Sequence, residues 1–322
     1  MRENSMVKKV FSSKEVGILI PWILICVITS IANPAFISFN NVINLLRSVS
    51  ITLIGSIGVT FVLISGQLDL SVGSIMGLAG LVTGMFLDKY QAPVWLAILA
   101  GLFAAALVGL FNSVIITKFK IPALIVTLGS MYIGRGIINV ISKGVPFGSF
   151  PENFKQLGQG TFLGVPYSVY IAFLIMAVGA FALKYTVYGR STMAIGGNME
   201  TARVSGIHIG RIVTLTYVIS AVCAGIAGIL TASRLSSAQA NAGTGWEMTI
   251  VSAVVIGGTS MYGGSGSIVG TLIGVAIMET LTVAMTMLRV DAYWQKVVVG
   301  AIIIIAVGID TYRRSKAASD KG

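Results

Sequence analysis

Ten apolar runs divide this chain, at about residues 16–36, 44–66, 68–87, 93–117, 122–142, 165–183, 212–232, 248–262, 267–288 and 293–311. A spanning helix needs about 20 mostly apolar residues. In lipid every backbone N–H and C=O must be satisfied within the segment, which leaves helices as the solution for runs of this kind. The third and eighth runs are the weakest, and an eight-span chain that merges them keeps both ends on the same side. The fold class expected is therefore all-α, a polytopic membrane protein of about ten transmembrane helices, some of them broken. Composition agrees: 55% hydrophobic and 10% charged residues over 322 positions, with a mean hydropathy of +0.91, exceed what a soluble core needs.

Charge sets the orientation. A net charge of +11 would suggest nucleic acid in a soluble chain, but here the Lys and Arg residues lie mostly in loops and ends. With the N-terminus in the cytoplasm, 14 cations fall in inside segments, seven in outside segments and span edges, and Arg135 within a span. This two-to-one bias places both termini in the cytoplasm. The expected organisation is a cytoplasmic segment 1–15, one transmembrane domain 16–311 and a cytoplasmic tail 312–322. The first run has spanning length and no small-x-small cleavage site before a soluble domain, so it reads as a span. Trp95, Trp246 and Trp294 fall at predicted outer span edges. Cys26 and Cys223 lie in separate apolar runs without His or Cys at ligand spacing, signalling neither metal nor disulfide.

Residues 184–211 stand out as a long polar loop, with Lys184, Arg190, Arg203 and Arg211 against Glu200 alone. Gly189 is suited to end the preceding helix, Asn198 to cap a new one over Met199–Val204, and Gly206 to stop it. The segment reads as a short helix along the cytoplasmic membrane surface. A second pattern is internal: VTFVLISG (59–66) followed by GSIMG (73–77) echoes VSAVVIGG (251–258) followed by GSIVG (266–270). Repeat-related broken helices point to a substrate path in transporters; the other reading is small residues letting helices pack closely. The run GGTSMYGGSGS (257–267) breaks its helix in either case.

GQLDLSVGS (66–74), NSVIITKFKIPALIVTLG (112–129), YGRSTMAIGGNMETARVSGIHI (188–209), SRLSSAQANAGTGWE (233–247) and VVIGGTSMYGGSGSIVGT (254–271) follow in order. Together they resemble the permease subunit of bacterial monosaccharide ABC importers of the ribose type, in the wider family that includes branched-chain amino-acid permeases. The likeness runs from about residue 16 to AVGID near residue 310. It implies a multi-pass protein of the bacterial cytoplasmic (inner) membrane and a second permease subunit, identical or closely related. It also implies cytoplasmic ABC ATPase subunits that carry ATP and Mg, and an extracytoplasmic sugar-binding protein.

By the same resemblance residues 189–209 match the segment that docks on the ATPase, with Gly189, Arg190, Gly196, Gly197, Asn198, Ala202, Arg203, Gly206 and Ile207 as coupling residues. Gly196 and Gly197 permit a tight turn, and Arg190 and Arg203 suit acidic groups on a partner. The chain has no engine of its own: no GxxxxGK[ST] occurs, GSGSIVGT (264–271) lacks the lysine, and the single histidine is His208. No catalytic residue, metal site or resident cofactor is expected.

The substrate path draws on intramembrane polar residues. Asp69, beside Ser71, reads either as N-cap of the third span or as a substrate contact. Arg135 needs a carboxylate or carbonyl, with Asp69, Glu247 and Glu279 as candidates. Glu247 serves a sugar hydroxyl or caps its helix. Gln67, Asn112, Thr259 and Ser260 suit an uncharged polyol or join helices. Departures from the family pattern at Thr282, Val283, Ala284, Ala240, Met248 and Thr249 bear on which sugar is carried. An ion-coupled secondary transporter using Asp69 or Arg135 is the alternative from another class.

Overall fold

A computed structural model describes residues 14–319; the ends at 1–13 and 320–322 lie outside it. The regular structure of the described residues is helical, apart from one small hairpin and an isolated bridge. In order the elements are α1 (Lys14–Ala32), a 3₁₀ turn (Pro34–Ile37), α2 (Phe39–Ile64), α3 (Val72–Asp88), α4 (Val94–Lys118), α5 (Ala123–Ser142) and α6 (Glu152–Gln159). There follow β1 (Thr161–Phe162), β2 (Val165–Pro166), α7 (Tyr167–Tyr185), α8 (Val187–Gly197), α9 (Met199–Val204), α10 (Ile209–Leu235), α11 (Trp246–Ile256), α12 (Ile268–Met287) and α13 (Ala292–Ser319). Each of the ten apolar runs contains a helix. Six helices, α2, α4, α5, α7, α10 and α12, are long and apolar enough to cross a membrane. The weak third and eighth runs form α3, with 17 residues, and α11, with 11.

The helix at the centre is α2, buried without a break from Ser50 to Ile64. Lipid tails offer no hydrophobic drive for one helix to pack on another, so close packing and hydrogen bonds must do it. The buried stretch of α2 is accordingly small and polar as well as apolar. Ser50 donates to Ser168 of α7 at 2.8 Å, Thr52 to the Glu279 carboxylate of α12 at 2.7 Å, and Thr60 pairs with Thr271 of α12 at 2.8 Å. The outer helices invert this pattern: α4, α5 and α7 expose Phe103, Leu107, Ile133, Phe173 and Leu174.

Residues 143–164, which the apolar runs leave as the longest predicted outer loop, hold a helix and most of a hairpin. Phe154 of α6 is fully buried and meets Phe150 edge to face at 5.2 Å. Ser233 of α10 accepts from the Gly158 N–H at 2.8 Å and donates to the Phe154 carbonyl at 2.6 Å. The hairpin pairs Thr161 with Pro166 and Phe162 with Val165.

The segment before α11 is a correction to the sequence reading. Ala238 bridges to Phe147 and packs against Gly84 near one end of α3, while Gly243 packs on Gly73 near the other. Residues 238–243 thus follow α3 from Gly84 to Gly73, eleven steps of helical rise or roughly 16 Å. Trp246 consequently starts a half-length helix inside the bundle, packed against both main apolar clusters, rather than marking an outer edge. Trp95 and Trp294 are exposed.

Candidate functional site

The polar loop folds into two short helices instead of one. Thr186 caps α8, accepting from the Gly189 N–H at 3.2 Å. Gly189 therefore lies in the first turn of a new helix and does not end the old one. What it supplies is proximity: an added Cβ would collide with the carbonyls of Ala182 and Leu183. Asn198 ends α8 and caps α9 as expected, accepting from the Thr201 N–H at 2.9 Å. Gly206, at φ +82°, closes α9 with Ile207 N–H donating to the Ala202 carbonyl at 3.1 Å.

The inner face of α8 is fastened to the bundle. Thr192 and Ile195 are buried. Tyr188 stacks on Phe61 at 5.5 Å and shares a 3.0 Å hydrogen bond with Thr216 of α10. Burial pushes the Tyr188 hydroxyl up to about 12, so it acts as a neutral hydrogen-bonding group. The outer face of α9 carries Glu200, Thr201, Arg203 and Val204, all exposed. Arg203 reaches both Glu200 oxygens, at 2.9 and 3.0 Å. An exposed pair of this kind contributes about 0–1 kcal/mol and exchanges readily for another partner. Arg190 is exposed, and its guanidinium donates to the Tyr185 carbonyl at 3.5 Å.

Gly196 and Gly197 do different things. The Gly196 position is closed by the Ile64 carbonyl at the end of α2 and by Gly264 N, itself hydrogen-bonded to that carbonyl at 2.8 Å. Gly197, next to it, has nothing within 4 Å of a would-be Cβ. Three chain segments therefore meet backbone to backbone: the C-terminus of α8, the C-terminus of α2, and the 257–267 loop. The first part of the internal repeat ends here in both copies. Gly66 and Gly258, at φ +72° and +87°, close α2 and α11. The bonds match too: Gln67 N–H donates to Val62 and Thr259 N–H to Val254, at 3.1 and 3.2 Å. Both are Schellman ends.

That placement separates the expected path residues. Gln67 lines a cavity beside α9, Thr259 is buried in the 257–267 loop, and Ser260 donates to Asp310 of α13 at 3.2 Å. The other five gather around the N-terminal end of α3. Asp69 is 1% exposed. It is not the N-cap, since Ser71 holds that position; it accepts from the Ser71 N–H at 2.9 Å, the Ser71 hydroxyl at 2.5 Å and the Ser220 hydroxyl at 3.2 Å. Asn112 Nδ2 donates to the Ser71 hydroxyl at 2.9 Å, and its buried Oδ1 has no partner.

Two residues further on, the Gly73 position is closed by Glu247 Oε2 and the Gly243 carbonyl. Glu247 is in the first turn of α11 and caps nothing by side chain; that Oε2 is buried without a hydrogen bond. Arg135 takes a backbone carbonyl, Ala242, at 2.6 Å, one helical turn along α3 at Gly77. Its Nη2 is likewise buried and unpartnered. The starts of α3 and α11 thus meet inside the bundle, with Asp69, Ser71, Asn112, Arg135 and Glu247 around the meeting point. Unpaired buried donors and acceptors here cost stability unless something polar completes them.

The family model described as branched-chain amino acid transport system / permease component matches residues 41–307. Among curated proteins, the ribose import permease protein RbsC of Haemophilus influenzae is 37% identical over 298 residues, covering 91% of this chain and 92% of that one. RbsC of Bacillus subtilis is 40% identical over 311 residues, covering 95% and 94%. The L-arabinose ABC transporter permease protein AraH of Azospirillum brasilense is 38% identical over 307 residues, covering 95% and 90%. No solved structure matches.

Proposed function

The chain belongs to the family of branched-chain amino acid transport system permease components, and from that membership and the geometry above we propose that it is the permease subunit of an ATP-binding cassette importer for a monosaccharide. Relatives at 37–40% identity over most of both chains are named as ribose and arabinose permeases, which favours a sugar. In this reading the chain has ten spanning elements, counting α1, α3, α11 and α13, with both termini in the cytoplasm of a bacterial inner membrane. Two permease subunits enclose the path, an extracytoplasmic binding protein delivers the sugar, and separate ATPase subunits bind ATP and Mg.

The observation that carries the mechanism is the backbone junction at Gly196. The exposed face of α9 docks on the ATPase, with Arg190 and Arg203 meeting its acidic groups. When nucleotide draws the ATPase pair together, α9 moves and α8 moves with it, because Asn198 is shared by both helices. Gly196 touches the end of α2 and the 257–267 loop with no slack. Displacement passes to Gly66–Ser71, which leads directly to Asp69 and the start of α3, and through the 257–267 loop to the end of α11. The meeting of the α3 and α11 starts is then the element that opens to one side or the other, and its unpartnered Asn112, Arg135 and Glu247 atoms are suited to passing hydroxyl groups.

Mild-detergent purification from native membranes, with mass spectrometry of what remains bound, tests this. Recovery of a P-loop ATPase that is lost when α9 is altered supports the importer. A chain that purifies alone and still moves solute down an ion gradient in liposomes overturns it in favour of ion-coupled transport through Asp69 or Arg135.

A further inference from the structure

A cavity of about 700 Å³ lies between α9 and the turn joining α4 to α5. Its lining combines apolar Ile116, Ile121, Ile209 and Val213, polar Gln67 and Thr117, and charged Lys120, Glu200 and Arg203. It sits where several spanning helices end, the level at which a bilayer changes from tails to headgroups. The only acid of the lining, Glu200, is already engaged by Arg203 at 2.9 Å. Lys120 has no ion pair among the described residues, and Lys118 and Arg211 stand close by in sequence. Lys120 holds φ +56°, a left-handed conformation uncommon for a side chain of this kind. Beside the cavity, Phe119, Leu124 and Ile125 form an exposed apolar surface running along the start of α5.

An unpaired lysine at the mouth, apolar side chains in the lining and exposed apolar residues next to Lys120 and Ala123 in sequence suit an amphiphile with an anionic head. We propose that this cavity binds the headgroup of an anionic phospholipid of the adjoining leaflet, its phosphate on Lys120 and its chains along Phe119, Leu124 and Ile125. Basic pockets between helices at this level select such headgroups. The bound lipid would brace α9 against the α4–α5 turn. The brace rests on the coupling reading given above, whereas the binding does not.

The probe is dioleoyl-phosphatidylglycerol against dioleoyl-phosphatidylcholine, offered to the purified chain in mixed micelles and counted by native mass spectrometry. Wild type retains phosphatidylglycerol in preference, and Lys120→Ala lowers that retention about fivefold, the worth of one lysine near an anionic surface. Lys155→Ala, half-buried in α6 outside the cavity and paired with Glu152 at 3.5 Å, leaves it unchanged. Equal retention of the two lipids, or retention indifferent to Lys120→Ala, overturns the proposal. Displacement of the lipid by millimolar inorganic phosphate would assign the site to a soluble anion and overturn it as well. ATP-driven uptake in phosphatidylcholine alone, equal to that with phosphatidylglycerol, removes the brace without touching the importer assignment.

Discussion

Replacing Gly196 by alanine should break the junction on which coupling depends, and the size of the effect follows from the coordinates. Cβ contacts shorter than 3.0 Å essentially do not occur, yet a Cβ here would sit 2.5 Å from Gly264 N and closer still to the Ile64 carbonyl oxygen. Both atoms are backbone, and they are joined to each other by a 2.8 Å hydrogen bond. Neither can rotate away. Overpacking of this kind costs about 1–3 kcal/mol, and losing a backbone hydrogen bond away from water adds about 1–3 kcal/mol. At about 2–4 °C per kcal/mol, Gly196→Ala should melt at least about 4 °C below wild type in detergent. ATP-driven uptake in proteoliposomes should fall with it. Gly197→Ala is the control one residue away, where the added methyl meets nothing within 4 Å. It should melt within about 1 °C of wild type or slightly above, since Gly to Ala in a helix gains up to about 1 kcal/mol. A Gly196→Ala protein with wild-type melting and uptake would refute the claim that the three segments meet without slack.

Gly197→Trp should also leave melting unchanged, while its bulk on the outer rim of the segment abolishes ATP-driven uptake; normal uptake would remove that rim from the docking surface. Arg203→Glu loses only an exposed ion pair, so stability changes by about 1 kcal/mol or less, but uptake driven by ATP should be lost while membrane insertion by fractionation stays normal. Asp69→Ala strands the Ser71 N–H and two hydroxyls in a buried site and should cost about 2–4 kcal/mol; Asp69→Asn keeps an acceptor for Ser71 and should recover at least half of the loss in the same melting assay. Gly73→Ala drives a methyl into Glu247 and the Gly243 carbonyl, and should reduce uptake more than it reduces binding of the ATPase in pull-down.

Much of the fold was readable because it depends on local chemistry. Hydropathy located every long helix, and Asn198 and Gly206 bound α9 because caps act over three or four residues. What escaped was tertiary. Nothing in Ser50, Thr52 or Gly58 announces that α2 lies at the centre, since a helix interior to a membrane bundle is less apolar than its neighbours. SRLSSAQANAGTG (233–245) has the composition of an exposed loop, and only the contacts of Ala238 and Gly243 with Gly84 and Gly73 lay it along α3, with Gln239, Asn241 and Thr244 still exposed. Arg135 needs a carboxylate or a carbonyl and takes the carbonyl of Ala242, a group that every residue carries, so the sequence could name the kind of partner but not which residue supplies it. Gly189 and Gly196 looked like turn residues, but their negative φ and closed surroundings show that they serve close approach. Of the path residues, five converge and Gln67, Thr259 and Ser260 do not: a neutral hydrogen-bonding side chain is recognisable in sequence, but these three follow the ends of α2 and α11, away from the start of α3.

The two breaks make one electrostatic unit. A helix that begins inside a bundle leaves N–H groups unpaired and presents about half a positive charge. The starts of α3 and α11 face one another at Gly73 and Gly243, so on their own they would repel. Each carries a carboxylate at its start: Asp69 takes the Ser71 N–H, and Glu247 sits in the first turn of α11. The carboxyl oxygens of Asp69 and Glu247 thus stand where two positive helix ends meet, with the Arg135 guanidinium one turn away on the Ala242 carbonyl. The meeting point is therefore rich in hydrogen-bonding groups, three of them with an atom left unpartnered at Asn112, Arg135 and Glu247. Such a place suits a polyol that must be passed on rather than retained.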